Sequence, residues 1–545
     1  MKKLVSRFMA VLMAMAMILS MSMTAFAAED ATRLTGTGKL TVNNTVAGKT
    51  LDLYQIFTAT KNEAGNVAYT LNPEYEGFFK ANVNGASALK GEALSEKAYE
   101  YVKTQVGEDG KNGVNFAKAM LTWILSNTST VDDTHKTVTT ATGFTEIANL
   151  AYGYYVVYPL GATDTSAAPG TGQDYTSVAS LVSVTGDDAT VNMKSNYPTV
   201  VKKVNDNKNA DDVNIGDTVT YTLTSKVPDM TGYTSYVFNF KDTLSAGLTF
   251  KEITSVKVGD TPITKVEAGQ KANNTYTLTH DGPNITITMN NFLASNKDKA
   301  GQEIKVTYTA TLNKNAVTGF DANKNSATVE YSNKPGTDNK GESEPSIVDV
   351  HTFNFTIFKY YLKDETKTGL ANAEFELYKA NEAGDAADTN AKINIVKVEE
   401  GVYRQATPEE AAAEGFKSDV IVSGNDGKVL VKGLDAGNYY LRETKAPEGY
   451  NKLLSDIKVE IKANYDETTG KLTSYSVDYT YNGKTTNGTA ITNETDSPEV
   501  AVENKTGAQL PSTGSKGALM VTLAGIVLFG ALTASKAFGK KKAKN

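Results

Sequence analysis

FTIFKYY, residues 355–361, sets one lysine among apolar and aromatic residues. By the two-residue period of an extended chain, Phe355, Ile357 and Lys359 point to one face, so a lysine stands in line with two core-type residues. The same texture extends outward over most of the chain. KLTVNN (39–44), DTVTYTLTS (217–225), NITITMNN (284–291), EIKVTYTATL (303–312), SATVEYS (326–332), AEFELYKA (373–380) and NYYLRE (438–443) are rich in Thr, Val and Tyr, and Gly, Asn and Asp turns punctuate them. Such runs predict antiparallel β-sandwiches, so the fold class is mainly β, in tandem domains.

Three segments divide the interior. The first, residues 28–195, opens with strands and then turns helical from roughly Ser95 to Ser126, where AKAMLTWILSN carries the only tryptophan, Trp123. It returns to strands at LAYGYYVVYPL (150–160), which predicts a strand-rich domain with a helical insertion and Trp123 packed into its core. The second segment covers residues 196–348. The polar run NKPGTDNKGESEPS (333–346) reads as a loop or linker near its end. The third segment covers 351–505. NDNKNADD (205–212) is rich in oxygen ligands but lacks the spacing of a calcium loop, so it reads as a polar turn.

The two ends have their own physics. Lys2, Lys3 and Arg7 precede an apolar run from Phe8 to about Met21 and then TAFA (24–27), the pattern of a secretory signal peptide cleaved after Ala27. At the other end, an apolar run from Gly517 to Ala534 approaches the roughly 17–25 residues of a membrane-spanning helix. Lys540, Lys541, Lys542 and Lys544 follow it, as in a tail that stays cytoplasmic.

An exported chain of 545 residues without a single cysteine must hold its domains by large cores or by another cross-link. A formal charge of −7 argues against nucleic acid as a partner. His135, His280 and His351 are far apart in sequence, so neither a metal site nor a cofactor is expected. No nucleophile-elbow, zinc-protease or phosphate-loop motif is present, which argues against an enzyme.

What chemistry remains lies in the strands. A buried unpaired ammonium is costly, and burial drives Lys359 toward its neutral, nucleophilic form. Glu443, in YYLRET (439–444), follows an apolar strand, where burial favours the neutral acid. Beside an asparagine, such a pair can form an amide with loss of ammonia. The competing reading is a solvated lysine and a surface salt bridge.

The third segment resembles the CnaB-type, prealbumin-like domains of Gram-positive adhesins and pilins, whose signature falls on Lys359, on Leu370 to Leu377, on Tyr440 to Tyr450 and on Asn504. The resemblance implies a Lys359–Asn504 isopeptide bond with Glu443 as the catalytic acid, although Lys505 and Asn493 compete for the terminal role. The second segment, with PTVVKKV (198–204), FKDTLSAGL (240–248) and NSATVEY (325–331), resembles the CnaA-like fimbrial isopeptide-forming domain of pilin subunits. Alternation makes Lys202 the inward lysine and Lys203 the outward one. The resemblance implies a Lys202–Asn325 bond with Asp242 as the acid. In the first segment Val156 or Val157 stands where an acid would be needed, so no such bond is expected there.

Leu510, Pro511, Ser512, Thr513 and Gly514, with the helix and lysines that follow, resemble the cell-wall sorting signal of Gram-positive surface proteins. This implies a sortase whose cysteine attacks the Thr513 carbonyl and expels Gly514 with the tail. At the junction VNMKSNYPTVVKK (191–203), aligned on the lysine of the pilin motif, Lys194 is the implied amine and Lys203 its competitor. Taken together the chain resembles the major, shaft-forming pilin of sortase-assembled Gram-positive pili, of the SpaA or SpaH type. The resemblance implies as partners a sortase, identical subunits, minor pilins, peptidoglycan and host surface ligands. The rival expectation is a monomeric wall-anchored adhesin that binds a host ligand.

Overall fold

The computed structural model describes residues 35–107, 113–131, 135–162, 178–193 and 196–507. The signal peptide, Lys194 and the sorting signal lie outside the described residues. The chain divides into two compact units, one holding the first two sandwiches and the other the third.

In the first sandwich, Thr37–Thr45 runs between Gly143–Ala151, antiparallel, and Ala189–Asn192, parallel. Facing it is a sheet centred on Thr50–Lys61 and Gly153–Pro159. Every residue of Gly153–Pro159 is buried. Val157 packs between the sheets with Leu40 and Leu53, while Val156 packs on the other side with Phe78, Phe116 and Ile124 of the helices. A strand covered on both faces has no polar side to show, which is why LAYGYYVVYPL loses the alternation seen elsewhere.

The helical layer is larger than the sequence suggests. Among the described residues it has three α-helices, Glu76–Asn82, Gly91–Val106 and Gly113–Ser126. The first is only seven residues long and too short to show a period, but it buries Phe78 and Phe79. Trp123 is half-buried, with its ring edge-on to Phe78 at 6.1 Å.

The second sandwich sets a five-stranded sheet, with Val201–Val204 at one edge beside Thr218–Lys226, against a larger sheet. The larger sheet contains Phe238–Leu244, Asn323–Ser332 and Ser346–His351. Alternate residues such as Val219, Tyr221 and Leu223, or Ile304, Val306 and Tyr308, fill the space between them. The polar run 333–346 is not a linker. Lys340–Glu342 folds back onto Glu330–Ser332, and Ser346 opens the strand that ends at His351. His351, placed by sequence in the third segment, pairs with Asp212 in this sheet. NDNKNADD is a turn, with Asn205, Asp206 and Asn207 at positive φ and Lys208 paired to Asp211 at 2.8 Å.

In the third sandwich Phe353–Lys363 is central to its sheet. Lys428–Leu434 pairs with it antiparallel, and Glu499–Glu503, from the far end of the domain, pairs with it parallel. The opposing sheet carries Glu374–Ala380, Gly437–Lys445, Ile457–Tyr465 and Leu472–Tyr481. Phe355, Ile357, Phe375, Leu377, Leu441 and Val459 are all buried.

Candidate functional site

Each of the second and third sandwiches encloses a lysine, an acid and an asparagine between its sheets. In the second, Val200, Lys202 and Val204 face inward, with Lys202 1% exposed, while Lys203 faces out and bonds Asn209 at 2.6 Å. The Lys202 ammonium is hydrogen-bonded to the carboxylate of Asp242 across the sandwich. Asp242 and Asn325 belong to neighbouring antiparallel strands, with Asp242 opposite Ala327 and Asn325 opposite Leu244, so the two stand one diagonal step apart on the same face. Both are buried.

One hydroxyl joins all three groups. Tyr308 donates to Asp242 Oδ2 at 2.8 Å and accepts from Lys202 Nζ at 2.8 Å and from Asn325 Nδ2 at 2.7 Å. That uses the one donor and both acceptor positions a hydroxyl has. The rings of Tyr221 and Tyr308 lie 4.9 and 5.1 Å from Lys202 Nζ. Burial pushes Lys202 down from 10.5 to about 8, against the opposing charge of Asp242. Burial pushes Asp242 up, against the opposing effect of Lys202. Both shifts run in the direction that favours proton transfer from the ammonium to the carboxylate. Tyr308 is raised, by burial first and then by the Asp242 charge, and stays protonated.

The third sandwich assembles the same groups differently. Lys359, fully buried, lies opposite Val502 on the parallel terminal strand, and Asn504 follows just beyond. Glu443 comes across from the other sheet, on the inward face with Tyr439 and Leu441. Arg442, its neighbour, points out to Asp456. Lys359 Nζ stands 2.9 Å from Glu443 Oε1, outside hydrogen-bonding geometry. Burial lowers the Lys359 ammonium, opposed by Glu443.

Glu443 Oε2 accepts from the backbone N–H of Leu453 at 2.7 Å and from Asn504 Nδ2 at 3.4 Å. Asn504 Nδ2 also donates to the carbonyl of Asn451 at 2.7 Å. The turn KAPEGY (445–450) is what returns residues 451–453 to this position. Tyr450 N–H bonds the Pro447 carbonyl, Gly449 takes a φ of 85°, and Asn451 N–H bonds the Lys505 carbonyl at 3.0 Å. Asn493 is exposed and bonded to Asp496, away from the pair.

Reading by sequence misses Tyr308 and the 451–453 loop. Tyr308 is visible there only as one more inward residue of EIKVTYTATL, and nothing in that period tells where its hydroxyl points. It also misses a buried acid in the first sandwich, Asp52, whose partners include His135 at 2.8 Å and the hydroxyls of Thr137 at 2.8 Å and Tyr54 at 3.4 Å.

Comparison with known proteins places these domains. Residues 215–335 match the family model described as a Gram-positive pilin backbone subunit 2, Cna-B-like domain, and residues 356–475 match the SpaA prealbumin-like fold domain. The second segment is thus matched as Cna-B-like where the sequence resemblance was to the CnaA-like type. The chain is 26% identical over 324 residues to the trypsin-resistant surface T6 protein of Streptococcus pyogenes, covering 53% of this chain and 50% of that protein. It is 29% identical over 287 residues to fimbrial subunit type 2 of Actinomyces naeslundii, covering 48% and 50%. The chain therefore spans about half the length of the curated relatives it matches. Among solved structures, the T6 backbone pilin of S. pyogenes aligns with a TM-score of 0.46 at 17% identity, over 89% of this chain and 100% of that one. The major pilin SpaA of Corynebacterium diphtheriae aligns with a TM-score of 0.42 at 16% identity, over 86% and 99%.

Proposed function

Starting from a chain that carries the domains of a Gram-positive backbone pilin, we propose that it is the structural subunit of a covalent surface pilus, braced inside each of its last two domains by a Lys–Asn isopeptide bond. It is a structural adhesion subunit rather than an enzyme, and its chemistry is single-turnover within its own chain. The observation that carries this reading is the burial of a lysine, an acid and an asparagine together inside each sandwich, Lys202, Asp242 and Asn325 in one and Lys359, Glu443 and Asn504 in the other. Two buried opposite charges cost several kcal/mol of desolvation each. Proton transfer from ammonium to carboxylate removes that cost and leaves an amine nucleophile beside an acid. The amine attacks the asparagine Cγ, the acid stabilises the polarised intermediate, and ammonia leaves.

Such bonds take the place of the absent disulfides. Like a disulfide, each would close a loop in the unfolded chain and so shrink the unfolded ensemble. Between subunits, a sortase joins Thr513 of one chain, within Leu510–Pro511–Ser512–Thr513–Gly514, to Lys194 of the next. A head-to-tail contact that does not close on itself grows into a filament. Minor pilins, peptidoglycan and host surface ligands are the remaining partners.

The test is an immunoblot of boiled, detergent-treated wall extracts, wild type beside Lys194→Ala. A high-mass ladder that collapses to monomer in the variant is the expected result. A ladder that survives moves the linkage to Lys203, and a single band in wild type sinks the polymer in favour of a monomeric adhesin.

A further inference from the structure

The two clusters differ by one methylene in the acid, and the difference is compensated. In the third sandwich the glutamate reaches the amide nitrogen of Asn504 itself, at 3.4 Å. In the second, the shorter Asp242 meets Asn325 through a hydroxyl, because Tyr308 is bonded to both. The same hydroxyl accepts from the Lys202 amine. Asp242 with Tyr308 does what Glu443 does alone.

We infer that Tyr308 is a catalytic proton relay for the Lys202–Asn325 bond, passing the acid proton of Asp242 to the asparagine nitrogen that leaves as ammonia. The inference rests on the reading of this cluster as bond-forming. The Lys202 ammonium first gives a proton to the Asp242 carboxylate. The free Nζ pair then attacks Asn325 Cγ, and the C=O π pair moves to Oδ1. Nδ2 loses its amide conjugation, becomes pyramidal and turns from donor into acceptor. Tyr308 now donates its proton to Nδ2 and takes that of Asp242 in exchange. The Oδ1 pair returns, the Cγ–Nδ2 bond breaks and ammonia departs. The remaining extra proton on Nζ passes to the Asp242 carboxylate. The products are an amide, ammonia and a neutral acid, and no other reactant is consumed.

The test is the intact mass of the full chain, followed in time and with the cross-linked peptide mapped. Wild type losing two ammonias establishes the underlying reading, and wild type losing none from the second sandwich removes that reading independently of the relay. Tyr308→Phe keeps the ring and removes the hydroxyl. The expected result is slowing of the 202–325 bond by about a hundredfold, the lower range for a general acid–base group, with the 359–504 bond forming normally. A Tyr308→Phe chain that closes its second-domain bond at the wild-type rate overturns the relay. Adding Asp242→Glu to Tyr308→Phe should restore the bond by direct reach, and a double variant that folds, by circular dichroism, yet stays unlinked also overturns it. Should the phenylalanine chains not fold, difluorotyrosine at 308 keeps the ring and hydroxyl and changes only the hydroxyl acidity. A changed rate of bond formation supports proton transfer through this oxygen, and an unchanged rate overturns it.

Discussion

The second and third sandwiches hold the same three functional groups in opposite arrangements. In the second, acid and amide share one sheet and the lysine reaches in from the other. In the third, lysine and amide ride on neighbouring parallel strands and the acid reaches across. A bond in the second would therefore stitch two sheets together, and a bond in the third would staple the opening strand to the terminal strand within one sheet. The opening strand is not tied to the last one in the second sandwich, since Ser346–His351 follows the Asn325 strand. What the two clusters share is a buried layer where three side chains meet, with a different pair on one sheet in each.

The largest break in this comparison should come from removing an acid. Asp242→Ala or Glu443→Ala forfeits the bond and strands a buried ammonium. Loss of a cross-link closing a loop of roughly 120–150 residues costs about 5 kcal/mol in the chain-entropy treatment, and an uncompensated buried charge adds about 3–5 kcal/mol. Each variant should regain the mass of one ammonia and melt only its own domain, on the order of 15 °C lower or more by calorimetry. An unchanged mass would refute that acid's role.

Next in size are Asn325→Ala and Asn504→Ala, which lose the bond but keep the ion pair. Each should cost about 5 kcal/mol in denaturant melts and spare the other domain. Glu443→Asp sharpens the contrast further, because it shortens an acid that among the described residues is bonded by Leu453 N–H and Asn504 and not by a tyrosine hydroxyl. The third-domain bond should then form far more slowly, read as a growing unlinked fraction in mass spectra, and normal linkage would erase the distinction between the two clusters.

A smaller effect follows from pH in the Asn325→Ala chain. Folded Lys202 titrates near 8 and its unfolded counterpart near 10.5. Between those values the unfolded chain holds the extra proton, so stability rises with pH, measurable in urea melts at a series of pH values. Asp242, raised by burial, acts oppositely in the acid range. There the folded chain holds the extra proton, and stability falls as pH climbs through the folded value. The smallest effect belongs to Lys203→Ala. Its ammonium sits outside on Asn209, so it should cost at most about 1 kcal/mol and leave the mass loss intact, in contrast with its neighbour in the same strand.

Much of this was legible because a strand has a period of two. Alternation alone separated Lys202 from Lys203 and put Lys359 in line with Phe355 and Ile357, and the packed sandwiches carry those residues inward. The helical layer was half legible. The stripe Phe116, Met120, Ile124 declares itself, whereas the seven-residue helix with Phe78 is too short for any period. The strand Gly153–Pro159 hid its partners because both its faces are covered.

Which residues face inward could be read from the chain alone, since that depends only on local backbone geometry and the cost of burying a polar side chain. The lysine, acid and asparagine of each cluster were implied by the family resemblance, and Tyr308 was not. Which atoms meet is a property of the assembled sandwiches. Whether Asn504 or Asn493 approaches Glu443, whether Asp242 reaches Asn325 directly or through Tyr308, and which loop carbonyl holds the amide all depend on how two sheets are registered against each other. That registration is set by the packing of the whole core, and no single strand encodes it.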